Sequence, residues 1–394
     1  MTKVMLIFGT RPESIKLAPV INQFKKHNFH FKPLVCVTGQ HREMLNQVLN
    51  LFEISPNYDL NVMTNDQDLF DVTMRSLSRL KEVMENERPD LVIVQGDTTT
   101  SFVASLAAYY LQIPVAHVEA GLRTYNKYNP FPEEKNRHLT GVLADYHFAP
   151  TEWAKNNLLK ENVSEEKIWV TGNTVVDALL TVVTGQRSVG RQKELNEYFR
   201  RKWSLRLPAG TEADPHANTD KSKLILVTGH RRESFGEDFK NICLALREIA
   251  ERNPHVTIVY PVHLNPNIQK PAYEILGPKQ LRWANILLIP PIDYESFVYL
   301  MSRSYVVLTD SGSIQEEAPS LGKPVLVMRN TTERPEGIQA GTAKLVGTDK
   351  NRILEETEEL LNNFECYEKM SKAINPYGDG KAAERIVEVL CSME

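Results

Sequence analysis

Short runs of β-branched and other apolar residues recur from end to end of this chain, separated by longer stretches of helical pattern, and that alternation limits the fold more than any other feature. In the first half the runs are VMLIF (4–8), PLVCVT (33–38), LVIVQ (91–95), VAHV (115–118), YHFA (146–149) and IWVT (168–171). In the second half they are LILVT (224–228), TIVYPV (257–262), ILLIP (286–290), YVVLT (305–309) and PVLVM (324–328). Strand, helix, strand repeated in this way implies parallel sheets covered by helices on both faces, and strands buried on two sides read as near-continuous apolar runs. At 394 residues the chain exceeds what one hydrophobic core usually serves, so two domains are expected. The predicted fold class is α/β, with two Rossmann-like, doubly wound parallel-sheet domains.

The pattern lapses between residues 185 and 222, where the segment ending RLPAGTEADPHANTDKSK is polar, rich in turn formers and without periodicity. The junction is placed near its start, giving domains 1–184 and 185–375 with a polar insertion at about 205–222. Arg200, Arg201 and Lys202 beside it read as a solvated face. The last helical stretch, KAAERIVEVL, repeats Ala382, Ile386, Val389 and Leu390 at helical spacing, so it has one face to bury.

A net charge of −4, from 46 Lys and Arg against 50 Asp and Glu, gives no reason to expect nucleic acid or an anionic membrane as partner. No stretch is long and apolar enough to span a bilayer, and the first apolar run stops at Gly9 and Arg11, too short for the core of a secretory signal. The cysteines, Cys36, Cys243, Cys366 and Cys391, are scattered with no CxxC pair and read as reduced thiols of a cytoplasmic protein.

In a parallel sheet the loops at the carboxyl ends of the strands emerge on one edge, and ligands bind there. Arg11 follows the first run, Gln40 the second, Asp97 the third and Glu119 the fourth. The first loop, FGTRPESIKLAP, stands where a dinucleotide domain carries GxGxxG, and lacks it, so NAD and FAD are not expected. It offers Arg11 and Lys16 as cations for an anionic ligand; the structural alternative is a salt bridge from Arg11 to Glu13. Asp97, in QGDTTTS, is either a pocket carboxylate or a helix cap. Glu119 directly follows a buried strand, and the single-helix crossover at 98–112 makes the two strands neighbours, so both acids reach one pocket. Glu133 and Glu134 return beside prolines in NPFPEEKNRH. Clustered carboxylates repel, raising at least one pKa and keeping an acid and a base together at neutral pH.

The second half supplies His230, in GHRRESFGEDF, as a general acid or phosphate ligand, or as a loop histidine bridged to Glu233. His230 and His263 have neither HxxxH spacing nor thiolate partners, so no metal is expected. In TDSGSIQEEAPSLGKPV the turn Ser311, Gly312, Ser313 offers amides to a phosphate at a helix start, while Glu317, one turn deeper, suits ribose hydroxyls. The structural alternative is an N-cap at Ser311 with acids in the first turn. Arg334, in NTTERPE, adds a cation at the same edge.

Together GTRPESIK, QGDTTT, HVEAGLRT, PEEKNRH, GHRRESFG, TDSGSIQEEAPSLGKPV and TTERPEG resemble, in order and over nearly the whole chain outside about 185–222, the non-hydrolysing UDP-N-acetylglucosamine 2-epimerases. The resemblance implies the two-domain GT-B architecture with the site in the cleft between domains, a nucleotide held mainly by the second domain, and a final helix, 376–394, crossing back to the first. It implies interconversion of UDP-GlcNAc and UDP-ManNAc without a cofactor, supplying ManNAc for cell-surface polysaccharide, and a homodimer. The family's acid/base carboxylates match Asp97, Glu119 and Glu133, and its pocket histidine matches His230. Its substrate-binding residues match Arg11, Lys16, Phe297, Ser311, Glu317 and Arg334, while Ile292 stands where some members carry glutamine near the nucleotide. Some bacterial members bind a second UDP-GlcNAc as activator, at positions matching Gln40, Arg231 and His263. Glu43 and Asp66 stand where those members carry Gln and Arg, and because two acids disfavour a pyrophosphate, weak or absent activation is expected. The alternatives are a GT-B glycosyltransferase, which would share the nucleotide site but need an open acceptor cleft, a hydrolysing epimerase that releases ManNAc and UDP, and a catalytically silent UDP-sugar sensor, against which the intact acid cluster argues.

Overall fold

The computed structural model describes residues 1–39, 42–64, 67–185, 188–208, 223–277 and 285–393. The chain divides into two compact units, Met1–Ala178 with Tyr377–Glu394, and Leu179–Pro376. The first unit contains β1 (Thr2–Phe8), β2 (Phe31–Val37), β3 (Tyr58–Asp59), β4 (Leu91–Gln95), β5 (Val115–Val118), β6 (Tyr146–Ala149) and β7 (Ile168–Val170), in the order β3-β2-β1-β4-β5-β6-β7. The second contains β8 (Lys223–Thr228), β9 (Val256–Pro261), β10 (Ile286–Ile289), β11 (Val306–Thr309), β12 (Val325–Val327) and β13 (Ala343–Leu345), ordered β10-β9-β8-β11-β12-β13. Every pairing is parallel, as the continuous apolar runs require.

Both sheets reverse their winding direction once, between β1 and β4 and between β8 and β11. At such a reversal the loops following the two strands diverge to opposite faces and leave a crevice at the carboxyl edge. The loops concerned carry Arg11 and Asp97 in one unit, and His230 and Ser311 in the other. Val4 through Phe8 are fully buried, as are Leu308, Leu326 and Val327, each such side chain contributing about 1.5–3 kcal/mol of hydrophobic stabilisation relative to exposure. The helix Thr99–Tyr110, alanine-rich and apolar, crosses between β4 and β5 and makes them neighbours, with Val92 opposite Val115 and Gln95 opposite Val118.

Two strands escaped the sequence reading. The strand β3 is two residues long, and β13 (AKL) has no β-branched residue. The segment read as patternless contains the helix Ser188–Trp203. Its apolar anchors are few: Leu195 and Phe199, one turn apart, are buried, and Phe199 stacks on Tyr299 with ring centroids 6.2 Å apart. Arg200 and Arg201 pair with Glu197 on the solvated side, as expected of a solvated face. Residues 209–222, most of the expected insertion, lie outside the described residues.

The last helix, Ala382–Cys391, belongs to the first unit and packs along the Arg11–Lys26 helix, burying Ile386, Val387 and Leu390. Its first amides, those of Ala382 and Ala383, donate to the Asp177 carboxylate at 3.2 and 2.8 Å. Burial raises the Asp177 pKa to about 6 although these amides oppose the shift.

The turn after β5 is built around Gly121, at φ +87°, where a Cβ would stand 2.2 Å from the carbonyl oxygen of Ala154. A side chain is therefore excluded both by the left-handed backbone and by a main-chain neighbour. Gly121→Ala is expected to lower the stability of the first unit by roughly 1–3 kcal/mol. Urea unfolding with an unchanged midpoint would show that the turn relaxes freely.

Candidate active site

In the first unit the GTRPE loop runs from β1 into the Arg11–Lys26 helix through a capping box. Thr10 Oγ1 accepts from the Glu13 amide, and Glu13 Oε2 accepts from the amides of Thr10 and Gly9. Glu13 Oε1 also accepts from the Thr98 hydroxyl at 2.5 Å, which ties this loop to the one after β4. Burial raises the Glu13 pKa, against the pull of those hydrogen bonds. Glu13 thus holds the loop's shape, while Arg11 opens the helix half-buried and Lys16, one turn on, is buried.

Asp97 does not cap the next helix. Thr98 is the N-cap and accepts from the Ser101 amide at 3.1 Å, and Asp97 instead accepts from Arg137 Nη2. Glu119, at the end of β5, is 5% exposed and sits at φ +62°, a left-handed backbone costly for a glutamate. Its carboxylate receives Lys16 Nζ, Arg137 Nη1 at 3.3 Å and Asn173 Nδ2 at 2.9 Å, and Arg137 Nη1 also bonds the Glu119 carbonyl at 2.8 Å. The two acids therefore do reach one place, but the expected like-charge repulsion is replaced by alternation: Asp97, Arg137, Glu119, Lys16. Lys16, expected to be a cation for the ligand, is engaged by a carboxylate.

The loop from Leu122 to Pro132 closes on Glu134, whose oxygens accept from the amides of Thr124 and Tyr125 at 3.0 and 2.8 Å. Of the adjacent acids, Glu134 is thus structural, and Glu133 stands half-buried at the first position of the Glu133–Leu143 helix, one turn before Arg137. Cis peptide bonds precede Pro130 and Pro132 in this loop. On β5, His117 is buried with Nε2 at 2.7 Å from the Gly96 carbonyl, and burial pushes its pKa down to about 3.

In the second unit His230 follows β8. Its amide and that of Arg231 donate to Asp310 Oδ2 at 2.6 and 2.7 Å, and its Nδ1 lies 3.2 Å from Asp310 Oδ1. Burial works against ionised Asp310, but the bonds from His230 and Arg231 hold its pKa below the ordinary value. His230 is thus oriented by Asp310 rather than by Glu233, which accepts from Arg329 at 2.6 Å. The His230 ring stacks on His263, centroids 5.6 Å apart, and burial followed by the His230 charge lowers the His263 pKa.

Ser311 is the N-cap of the helix Gly312–Glu317, but its side chain makes no cap hydrogen bond. The Arg334 guanidinium lies so close over Gly312 that a Cβ there would meet Nη1 at 2.3 Å. Arg334 donates to Glu316 and to Glu333, each at 2.6 Å, and Glu333 accepts from Arg329 at 2.7 Å. Although burial opposes ionisation, the charges of Arg334, Arg329 and Arg231 bring the Glu333 pKa down to about 2. Glu317 is buried and accepts from the Tyr294 hydroxyl at 2.6 Å, and Phe297, one turn along Tyr294's helix, is half-buried.

In the first unit Asp97, Arg137, Glu119 and Lys16 are joined in one chain of ion pairs, with Arg11 and Glu133 opening the helices that carry Lys16 and Arg137; in the second, His230, Ser311, Gly312, Ser313 and Arg334 follow the β8, β11 and β12 ends, with Glu317 at the end of the Gly312–Glu317 helix. Arg231 and His263 adjoin the second cluster. Gln40 and Asp66 lie outside the described residues, as does the Glu43 side chain. Sequence reasoning missed Arg137, Asn173, Tyr294 and Asp310. Arg137 had a signal, standing four residues after Glu133 and so on the same helix face. Asp310 directly follows its strand run, and Asn173 and Tyr294 carry no local signal. Among the described residues no group of three or more His, Cys, Asp or Glu could hold a metal ion, and no helix is long and apolar enough to cross a membrane.

A family model described as UDP-N-acetylglucosamine 2-epimerase matches residues 22–391. The chain is 55% identical over 391 residues to the UDP-N-acetylglucosamine 2-epimerase of Salmonella typhimurium, covering 99% of this chain and 98% of the relative. It is 52% identical over 389 residues to the enzyme of that name from Campylobacter jejuni, covering 98% and 97%. The crystal structure of UDP-GlcNAc 2-epimerase from Neisseria meningitidis bound to UDP-GlcNAc superposes with a TM-score of 0.90 at 51% identity, covering 99% of this chain and 100% of that one. With the sheet order, both loop clusters and full-length similarity in agreement, this chain belongs to the UDP-N-acetylglucosamine 2-epimerase family.

Proposed function

We propose that the chain interconverts UDP-N-acetylglucosamine and UDP-N-acetylmannosamine at C2 without hydrolysis, as a cytoplasmic homodimer whose product supplies ManNAc for cell-surface polysaccharide. The observation that carries this reading is the pair of carboxylates, Asp97 and Glu119, joined through one buried guanidinium at neighbouring strand ends. Nucleotide transfer alone does not call for such a pair, whereas proton removal from one face of a sugar and return to the other does.

A hydrogen on C2 of a sugar with no adjacent carbonyl is too weakly acidic for direct removal by a carboxylate. Breaking the C1–O bond first sends its electron pair to UDP and leaves an oxocarbenium-like centre that acidifies the C2–H. One carboxylate of Asp97, Glu119 and Glu133 then takes the proton, and the C–H electrons form the C1=C2 bond of 2-acetamidoglucal. Return of a proton to C2 from the opposite face, with UDP oxygen re-adding at C1, yields the epimer and balances every atom. In this reading Ser311, Gly312, Ser313 and Arg334 hold the diphosphate, Glu317 the ribose hydroxyls and Phe297 the base. Arg11 and His230, with Asp310 behind its ring, stabilise the departing UDP. Lys16 holds Glu119 ionised until substrate arrives.

The homodimer is supported by exposed apolar side chains on three successive helices of the first unit. Phe70 and Met74 on the Leu69–Glu87 helix are 77% and 62% exposed, and Val142 on the Glu133–Leu143 helix is 72% exposed. Tyr109 and Tyr110 are exposed on the Thr99–Tyr110 helix, which packs against both. Large apolar side chains left exposed on adjacent helices favour an association surface.

Incubated with UDP-GlcNAc alone in heavy water, the protein should produce UDP-ManNAc carrying deuterium at C2, with traces of UDP and the glucal. Full retention of the original C2 hydrogen would exclude elimination, and free ManNAc would mark a hydrolase. Asp97→Asn, Glu119→Gln and Glu133→Gln should each lose several orders of magnitude in turnover while still binding UDP. Glu317→Ala should instead weaken UDP binding measured by calorimetry; an unchanged affinity removes Glu317 from the nucleotide site. Met74→Glu combined with Val142→Glu should sediment as monomer where the parent sediments as dimer, and identical sedimentation would move the interface elsewhere.

A further inference from the structure

Asn173 follows β7, just before the helix Thr174–Thr184 along which the chain leaves the first unit at Ala178. It is 2% exposed. Its backbone amide donates to the carbonyl of Tyr377 at 2.6 Å, the residue at which the chain returns to the unit. Next to it Gly172 lies against Gly378, a Cβ on Gly172 meeting the Gly378 Cα at 3.3 Å. The Asn173 side chain reads in one orientation only: Oδ1 accepts from the Val175 amide at 3.2 Å, which leaves Nδ2 to donate to Glu119 Oε2 at 2.9 Å. A residue that laces the chain's exit to its return therefore also grips a carboxylate of the candidate pocket.

Two cations also meet the Glu119 carboxylate, Lys16 on the Arg11–Lys26 helix and Arg137 on the Glu133–Leu143 helix, with Asp97 on the other arm of Arg137. Arg137 is shared with Asp97, and Lys16 meets Glu119 as an ion pair, whose strength follows the charge on either partner. Asn173 is neutral, buried and anchored at backbone and side chain, so its grip on Glu119 does not change as charge moves in the pocket. We propose that Asn173 is a positioning residue for the epimerisation, fixing the Glu119 carboxylate in its ionised, proton-accepting orientation through the Nδ2 hydrogen bond. The inference rests on the proposed reaction for its kinetic consequence, but not for the hydrogen bond itself.

Two variants separate this role from simple support of the fold. Asn173→Ala removes donor and acceptor together; Asn173→Asp keeps the shape and the Oδ1 acceptor for Val175 while turning an oxygen toward Glu119. Titration of Glu119 is followed by infrared carboxyl difference spectroscopy on the full chain, with Glu119→Gln as the blank, a measurement that needs no turnover. Because a donor to the charged form stabilises it, the Glu119 titration should move up by about one pH unit in Asn173→Ala and further in Asn173→Asp. The acidic limb of the kcat profile should move with it, and the lost orientation should lower kcat on the neutral plateau about tenfold while UDP affinity stays at the parent value. An unshifted Glu119 titration in Asn173→Asp overturns the proposal, as does a fall in UDP affinity that tracks kcat. A shifted titration in a protein whose parent makes no UDP-ManNAc would retain the positioning role and reject the reaction.

Discussion

The first unit's site depends on a charge pairing that burial makes compulsory. Arg137 spans the ends of two neighbouring strands, donating to Asp97 from one arm and to both the carboxylate and the carbonyl of Glu119 from the other. The side chains of Arg137 and Glu119 are only 8% and 3% exposed, and stripping one partner from such a pair costs about 3–5 kcal/mol because the remaining charge stays in a poor solvent. With Lys16 also on the Glu119 carboxylate, cations and carboxylates alternate, and a guanidinium separates the two acids that would otherwise repel. The strained left-handed backbone at Glu119 is held by the same guanidinium through its carbonyl bond.

The second unit solves an equivalent problem with the signs exchanged. Its cluster gathers guanidiniums, and Arg231, Arg329 and Arg334 would repel one another without Glu333 between them. Gly312 allows Arg334 to lie directly over the start of the Gly312–Glu317 helix, at the edge where the Ser311 hydroxyl is not spent on capping. Asp310 does for His230 what Arg137 does for the acids, fixing its position through backbone and ring. Both arrangements stand at the reversal of their sheet, where loops part and backbone amides turn outward.

Much of this was legible in the chain itself. Continuous β-branched runs bury on two sides, so LVIVQ, VAHV and LILVT announced parallel strands, and residues placed directly after them had to share an edge. Asp97, Glu119, His230 and Ser311 were found by that rule. The same rule is blind to elements that draw stability from elsewhere. The strand β13 and the Ser188–Trp203 helix have little apolar signal of their own, and the helix is held through Leu195 and Phe199 against a partner a hundred residues away in sequence.

What the sequence determined alone was the fold class, the edge on which chemistry gathers and, through its linked motifs, the family. Periodicity and strand-end position are local properties, and hydrophobic burial converts them into architecture without further information. Only the tertiary structure decided the partners of each charge: that Asp97 meets Arg137 rather than capping a helix, that Glu134 closes a loop, that Lys16 meets a carboxylate, and that Asn173 reaches Glu119 across 54 positions. Pairings between distant residues follow from the register of strands and the packing of helices over them, and no local pattern encodes which side chains that packing will bring within hydrogen-bond reach.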